Sequence, residues 1–485
     1  MRLQSNSLEQ KIKNIAGDRK IHMLALGWTG TLIAFYPGFM STDSINQYSQ
    51  TLSGVYNDHH PIIFAKLWSV LGNIVSGPFL MLLLQASIYW LAILILYLKK
   101  RTYRNSKLII LMGFSPFLLS ILGVIWKDIH FAVALLFLLA TSVERKSFSF
   151  RIQKILLLGL EIAFLLYASN VRGNSWAAIP FVAYIWIRSY LKNTSKIKII
   201  SLALLFTISA FGLGKFYTED VVKATPSDFA NYFMTDQLIY FSYLEKKSLV
   251  PEVTYRDMVN CAPAIVAEMK LTQRAFCLEI SGKYSTASFN TKNLRSQLIK
   301  SIKEHPWEFF IYKISAYSEF TGTFWHKNYY YWHPGLDKND FGLTQKNNGV
   351  TVLLRNYVEG TITLLPFLFA PLFWLWLSIM LILLSWLVRK RIDSEISFML
   401  AMSAFLYNFQ NFLAAGGPDF RYFYWSAMGT TLSLVLLLLS SSKNIISDFW
   451  EAAIGYRIFV ITFTLICIFQ VQIFYHVDYL SLLDS

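Results

Sequence analysis

The stretch YPGFMSTDSINQYSQTLSGVYNDHHPIIFAKLW (residues 36–68) sets Asp43, Asp58, His59 and His60 directly after a long apolar run. Three more polar sets sit at the ends of other apolar runs: Lys127 and Asp128 in WKDIH, Arg172 and Asn174 in VRGNS, and Asp419 and Arg421 in PDFRYFYW. Carboxylates can act as general bases, and arginine or lysine can hold a phosphate that leaves with negative charge. Acids and cations gathered at one face of a membrane suit group transfer from a lipid phosphate. Each residue also has a plainer use. Asp43 can cap a helix, Asp58 can close a turn, Lys127 and Asp128 can pair across a helix hairpin, and Arg172 and Arg421 can snorkel to the interface. Adjacent His59 and His60 are poorly placed to ligate one metal ion from a single helix face, so surface or acceptor contact is the better reading.

The elements that must position these residues are apolar helices. Of 485 residues, 55% are hydrophobic and 16% aromatic, and the mean hydropathy is +0.42, too apolar for an ordinary soluble domain. Continuous runs of about 20 residues, not alternating ones, exclude a β-barrel and mark a polytopic helical membrane protein. Eleven spans are expected, at about 21–37, 78–98, 108–125, 129–143, 155–171, 176–188, 199–216, 367–388, 396–414, 422–440 and 458–476. The first run lacks a small-residue cleavage site, so it reads as a retained helix. Lys and Arg cluster in KKRTYRNSK, ERKSFSFRIQK, RSYLKNTSKIK and VRKRIDSE, while the opposite connections hold single cations. The positive-inside rule then puts the N-terminus in the cytoplasm. The net charge of +15 is explained by those loops and calls for no nucleic acid.

The expected organisation is a cytoplasmic stretch 1–20, an N-terminal membrane module 21–216 with an outer loop 38–77, an outward domain 217–350, and a C-terminal membrane module 351–485. The outward domain reads as mostly helical, from apolar spacings of three and four in NTKNLRSQLIKSIKEHPWEFF. It holds Cys261 and Cys277, which in an oxidising compartment can pair or remain unpaired in the core. Its aromatic patch FWHKNYYYWHPG, with Trp325, His326 and Trp332, can stack on sugar rings or form an interfacial belt. In the first loop, Ser44 and Gln47 fit a capping box, and Ile45, Tyr48 and Leu52 share one face of a surface helix. Asp43 and Gln47 point to its polar side. A second surface helix follows Pro61. Glu161, mid-span in ILLLGLEIAFLLY, is expected to be hydrogen-bonded within the bundle. No nucleotide-sugar Asp-x-Asp, dinucleotide fingerprint or Walker spacing occurs.

An aspartate in the first outer loop followed by surface helices resembles the GT-C superfamily of polytopic glycosyltransferases, which use polyprenyl-phosphate sugars. PGFMSTDSINQ, NDHHP, WKDIHFA, VRGNSWAAIP and PDFRYFYW look like a motif set of bacterial members. The layout is similar to that of the serotype-converting O-antigen glucosyltransferases. The resemblance implies that Asp43 deprotonates an acceptor hydroxyl, with Asp58 as its competitor or an acceptor-orienting partner. It implies that Lys127, Arg172 and Arg421 cradle the leaving phosphate, with inversion at the anomeric carbon. Gln47, His59, His60, Trp325, His326 and Trp332 are the expected acceptor or sugar contacts. A divalent metal assists some members, but this chain shows no clear ligand set. The implied partners are an undecaprenyl-phosphate sugar such as glucose, a lipid-linked glycan such as O-antigen, membrane lipids, and a donor synthase and flippase. The implied place is the bacterial inner membrane with a periplasmic site. Two alternatives stay open: a flippase for lipid-linked sugars, which would carry more intramembrane charge and a repeat, and an O-antigen polymerase, which would handle a diphosphate.

Overall fold

The computed structural model describes residues 17–143, 151–261, 275, 278–279, 282–321, 331–345, 347–387, 392–413, 419–440, 457, 461 and 465. Among them every named element is helical, and strand pairing is limited to isolated bridges. The membrane block begins with α1 (Arg19–Ala34), followed by the loop helices α2 (Thr42–Ser53) and α3 (Ile62–Gly72). It continues with α4 (Phe79–Lys100), α5 (Lys107–Gly113), α6 (Pro116–Leu119), α7 (Lys127–Ser142), α8 (Arg151–Val171), α9 (Ile179–Tyr190) and α10 (Lys196–Phe216). A cap follows, with α11 (Ala230–Glu245), α12 (Tyr255–Cys261), α13 (Thr291–Glu304) and α14 (Pro306–Phe320). Then come α15 (Gly349–Leu364), α16 (Pro371–Leu387), α17 (Ile392–Phe409) and α18 (Tyr424–Ser440).

Among the described residues, four helices are long and apolar enough to cross a membrane: Phe79–Lys100, Ile152–Val171, Lys196–Val221 and Phe420–Leu439. Six other expected spans coincide with shorter, broken or more polar helices, and the one at 458–476 lies almost wholly outside the described residues. The differences have local causes. At 108–125 the chain stops at Gly113, restarts at Pro116 and turns again after Leu119, because proline cannot continue the hydrogen-bond ladder. Helix α7 is short because it meets protein on all sides: every residue from Asp128 to Ser142 is buried. An enclosed helix need not match the hydrocarbon thickness. Phe131 stacks on Tyr407 at 5.1 Å and meets Trp425 edge-on at 6.1 Å, tying α7 to α17 and α18. Glu161 is fully buried and accepts hydrogen bonds from Trp186 Nε1 (2.9 Å) and Tyr190 Oη (2.8 Å).

Three distant stretches run side by side and bring the loops together. Phe39 N–H donates to Gly123 O (3.1 Å) and Ile125 N–H to Phe39 O (2.8 Å). Met40 N–H donates to Gly335 O (3.0 Å) and Asp337 N–H to Met40 O (2.9 Å). Gly123 permits this approach, since a Cβ there would lie 1.9 Å from the Phe35 ring. Trp332 seals the joint from the other side, 5.6 Å from Phe35 and 6.2 Å from Phe39. The cap has a core of its own, including Leu238, Phe241, Leu249, Val253, Phe289 and Leu294. Helix α14 docks it to the bundle: Tyr317 Oη donates to Asn408 Oδ1 (2.8 Å) and Phe320 meets Phe423 at 4.5 Å. Helix α15 returns the chain along α1 with a capping box at Asn348, and Thr351 Oγ1 donates to Ala34 O (2.6 Å).

The loop helix α2 forms where expected but starts earlier and faces differently. Ser41 is its N-cap and Gly54 ends it in the left-handed region (φ 69°), which glycine enters without steric cost. Ser44 is therefore interior, not a cap, and its buried hydroxyl donates to Ile125 O (2.7 Å). The buried face carries Ser44, Gln47 and Tyr48, whereas Leu52 is 56% exposed. Ser44 faces protein because Ile125 O there needs a donor, while Gln47 bonds within the helix.

Candidate active site

A cavity of about 2110 Å³ lies between the membrane block and the cap. Its polar wall includes Asp43, His60, Lys127, Arg172, Asp419 and Arg421. Its apolar wall comes from α8 and α10, through Ala163, Leu166, Phe211 and Leu213. The four polar connections picked out from the sequence thus converge on one place.

Asp43 stands in the first turn of α2 with 34% of its side-chain surface accessible. Its Oδ2 accepts a hydrogen bond from Arg421 Nη1 at 2.7 Å, and its Oδ1 lies 3.9 Å from His60 Nε2. Lys127 Nζ is 2.7 Å from His60 Nδ1. Asp419 caps the short turn Phe420–Phe423 by accepting from Arg421 N–H (3.0 Å), and its Oδ2 lies 2.8 Å from Arg421 Nε. Arg421 therefore bridges two carboxylates. Behind it Arg172 Nη1 is 2.6 Å from Asp128 Oδ1, and Arg172 Nε donates to Asn174 Oδ1 (2.9 Å). Tyr422 keeps the two guanidinium groups apart, each 5.0 Å from its ring centre. Trp126 supports Arg421 from another side at 4.8 Å and donates its Nε1 hydrogen to Ser41 Oγ (2.7 Å).

Burial would raise the Asp43 carboxyl, but Arg421, Lys127 and His60 outweigh it and hold the group well below the ordinary carboxylate range. Burial, then Lys127, pushes His60 down to about 2 against the pull of Asp43, so it stays neutral. Burial brings Lys127 down to about 8 despite Asp43. Asp419 is raised to about 6 by burial, although Arg421 pulls the other way. Three carboxylates (Asp43, Asp128, Asp419) meet three cations (Lys127, Arg172, Arg421). The cluster is near charge balance: an entering anion can meet Lys127, whose partner is neutral His60, but must draw Arg421 or Arg172 from a carboxylate.

The structure separates the other expected residues. Asp58 lines the cavity at its rim and accepts from Ser227 N–H of the cap (2.6 Å), so it joins two loops. His59 lines the cavity too, 4.7 Å from Phe229. Gln47 does not line it: the side chain is 1% exposed, and its Nε2 donates to Asp43 O (3.1 Å). Trp332 does not line it either, being held between Phe35 and Phe39. Gln47 bonds within its own helix, and Trp332 packs on Phe35 and Phe39 from a stretch far away in sequence. Trp325, His326 and Cys277 lie outside the described residues, as does the side chain of Cys261. Sequence reasoning missed Trp126 and Tyr422, although each adjoins a selected cation. Among the described residues, Glu245, Glu304 and His305 bring metal-type donors together in the cap, away from the cavity lining. Glu245 there already lies 2.6 Å from Lys247 Nζ and 3.3 Å from His305 Nε2.

Fold and site define an all-helical membrane protein with a capped polar cavity. No family model matches the chain, and no curated protein matches it. Among solved structures it is similar to the oligosaccharyltransferase of Archaeoglobus fulgidus in complex with Zn and sulfate, with a TM-score of 0.36 and 13% identity over 94% of this chain and 52% of that one. The same enzyme tethered to an acceptor peptide gives 0.36 and 14%, covering 96% and 55%. The archaeal enzyme with an inhibitory peptide and a dolichol-phosphate gives 0.35 and 15%, covering 96% and 56%. This chain thus spans about half the length of those proteins. A likeness at these scores carries no chemistry across, and the functional reading rests on the site.

Proposed function

We propose that this chain is an inverting membrane glycosyltransferase of the GT-C kind. It moves one sugar, with glucose the expected one, from undecaprenyl phosphate to a lipid-linked glycan such as O-antigen, on the outer face of the bacterial inner membrane. The observation that carries the proposal is Asp43, a cavity-facing carboxylate held at 2.7 Å by Arg421 within reach of His60 and, through it, Lys127.

The donor phosphate engages Arg421, Lys127 and Arg172, while its isoprenoid chain follows the apolar wall of α8 and α10. In the starting state Asp43 is a weak base, because Arg421 stabilises its charge. A phosphate that draws on Arg421 removes that stabilisation and raises the proton affinity of Asp43 where an acceptor hydroxyl approaches. The hydroxyl oxygen attacks the anomeric carbon as Asp43 takes its proton. The glycosidic bond to phosphate breaks with its electron pair on the phosphate oxygen, and the cations hold the resulting charge. Attack opposite the leaving group inverts the configuration. The eleven-span topology and cytoplasmic N-terminus belong to this proposal, as does supply of the donor by a separate synthase and flippase.

The flippase alternative predicts a transmembrane route lined by charge, whereas the polar residues of this cavity gather at one end of the helices. The test is transfer of radiolabelled sugar from undecaprenyl-phosphate-glucose to lipid-linked O-antigen by purified protein in liposomes. Inverted product that disappears with Asp43→Asn is the expected result. Donor lipid moved across the bilayer with no sugar transferred would overturn the proposal in favour of a flippase.

A further inference from the structure

At the cavity rim the cap contributes a loop whose backbone is held in an uncommon shape. A π-helical turn, Tyr217–Val221, leads into it, and two non-glycine residues sit in the left-handed region, Lys223 (φ 54°) and Asp228 (φ 47°). Such conformations persist where surrounding contacts enforce them, often at functional sites. Here the first outer loop supplies the contacts. Thr225 N–H donates to Tyr56 O (3.0 Å), Asp58 N–H to Thr225 O (3.1 Å), and Ser227 N–H to the Asp58 carboxylate (2.6 Å).

The loop presents Phe229 to the cavity, 43% exposed despite its size. Its ring lies 4.7 Å from His59 and 5.1 Å from Phe233, both edge-on, and 6.1 Å from Tyr232 with only 12° between the planes. All four rings line the cavity, and none of the three cap rings belongs to the cap's core. His59 touches His60 at 4.6 Å, and His60 faces Asp43. A continuous run of rings therefore leads from the candidate base to the cavity mouth. Asp228 and Glu279 line the same end.

Aromatic faces beside carboxylates match a saccharide: polarised C–H bonds pack on the negative ring face and hydroxyls donate to the acids. An isoprenoid chain has no use for those acids and finds its apolar wall on α8 and α10. Resting on the transferase reading above, we infer that Phe229, Tyr232 and Phe233, with His59, form the subsite for the acceptor saccharide, and that Asp58 is the residue that positions it.

The test is saturation-transfer NMR on full-length protein in nanodiscs, with soluble trisaccharides of glucose, galactose and N-acetylhexosamine as probes. Wild type and Asp43→Asn should both saturate sugar C–H protons. Phe229→Ala with Tyr232→Ala should weaken binding about tenfold, while Phe229→Trp retains it. Asp58→Ala should weaken it and Asp58→Asn restore it, because the amide oxygen still accepts from Ser227 and holds the loop that carries Phe229; undecaprenyl-phosphate affinity should stay unchanged in both, which a general loss of structure would not allow. The inference is overturned if wild type contacts no saccharide, or if the double variant keeps full contact. It is also overturned if that variant loses only affinity for undecaprenyl phosphate, which would assign the rings to the lipid chain. Saccharide contact by a wild type that transfers no sugar would instead sink the transferase reading and leave the subsite standing.

Discussion

The two ends of the cavity are built differently. At the cation end, Arg172 and Arg421 come from the membrane block, have side chains only 8% and 13% exposed, and are each fixed by a carboxylate and an aromatic ring. At the rim, Asp58, His59 and Phe229 are exposed and held by loop-to-loop hydrogen bonds. A buried, paired cation cannot change partners without leaving a charge unsatisfied, whereas an exposed ring can be replaced at little cost to the fold. The membrane block is thus suited to invariant chemistry and the cap to the choice of acceptor.

Perturbing the rigid end should have the largest effect. Asp128→Asn leaves Arg172 buried without its ion partner and should cost about 3–5 kcal/mol, seen as a lower Tm of the detergent-solubilised protein; an unchanged Tm would mean that water already reaches this pair. Gly123→Ala should come next. Its Cβ would meet Phe35, and relieving that overlap should cost about 1–3 kcal/mol, measured by thermal or denaturant unfolding.

A subtler probe of the cation end is pH. Asp419 sits near 6 because burial disfavours its charge. Below that value it becomes neutral and the cluster gains a net positive charge, so anionic donor should bind more tightly as pH falls through about 6. The affinity step should vanish in Asp419→Asn. The smallest effect belongs to the rim. Asp58→Ala removes one hydrogen-bond acceptor from Ser227 and should cost about 1 kcal/mol in stability, with donor affinity unchanged. A loss of donor affinity there would erase the contrast between the two ends.

What was legible in the sequence follows the same division. Lys127, Arg172 and Arg421 stand out because each interrupts apolar sequence at a helix end, and residues there can only face the same polar boundary. The helices themselves follow from run length, but their number of crossings does not: α7 is apolar for contact with protein, and composition cannot separate that from contact with lipid. Ser44 and Trp332 were misread for another reason. Their environments are made by the pairing of residues 39–40 with 123–125 and 335–337, a long-range register that local periodicity does not encode. The contact of Asp58 with Ser227 was not legible because the two lie 169 positions apart.

The central claim is that Asp43 and the donor phosphate compete for Arg421. The most direct measurement is the affinity of Asp43→Asn for undecaprenyl phosphate in nanodiscs, beside its transfer rate. The account predicts tighter binding than wild type, because Arg421 is released, together with a rate lower by about 10²–10⁴ from loss of the general base. Weaker donor binding alongside the lost rate would contradict it, and would make Asp43 a structural anchor of the arginine instead of its rival.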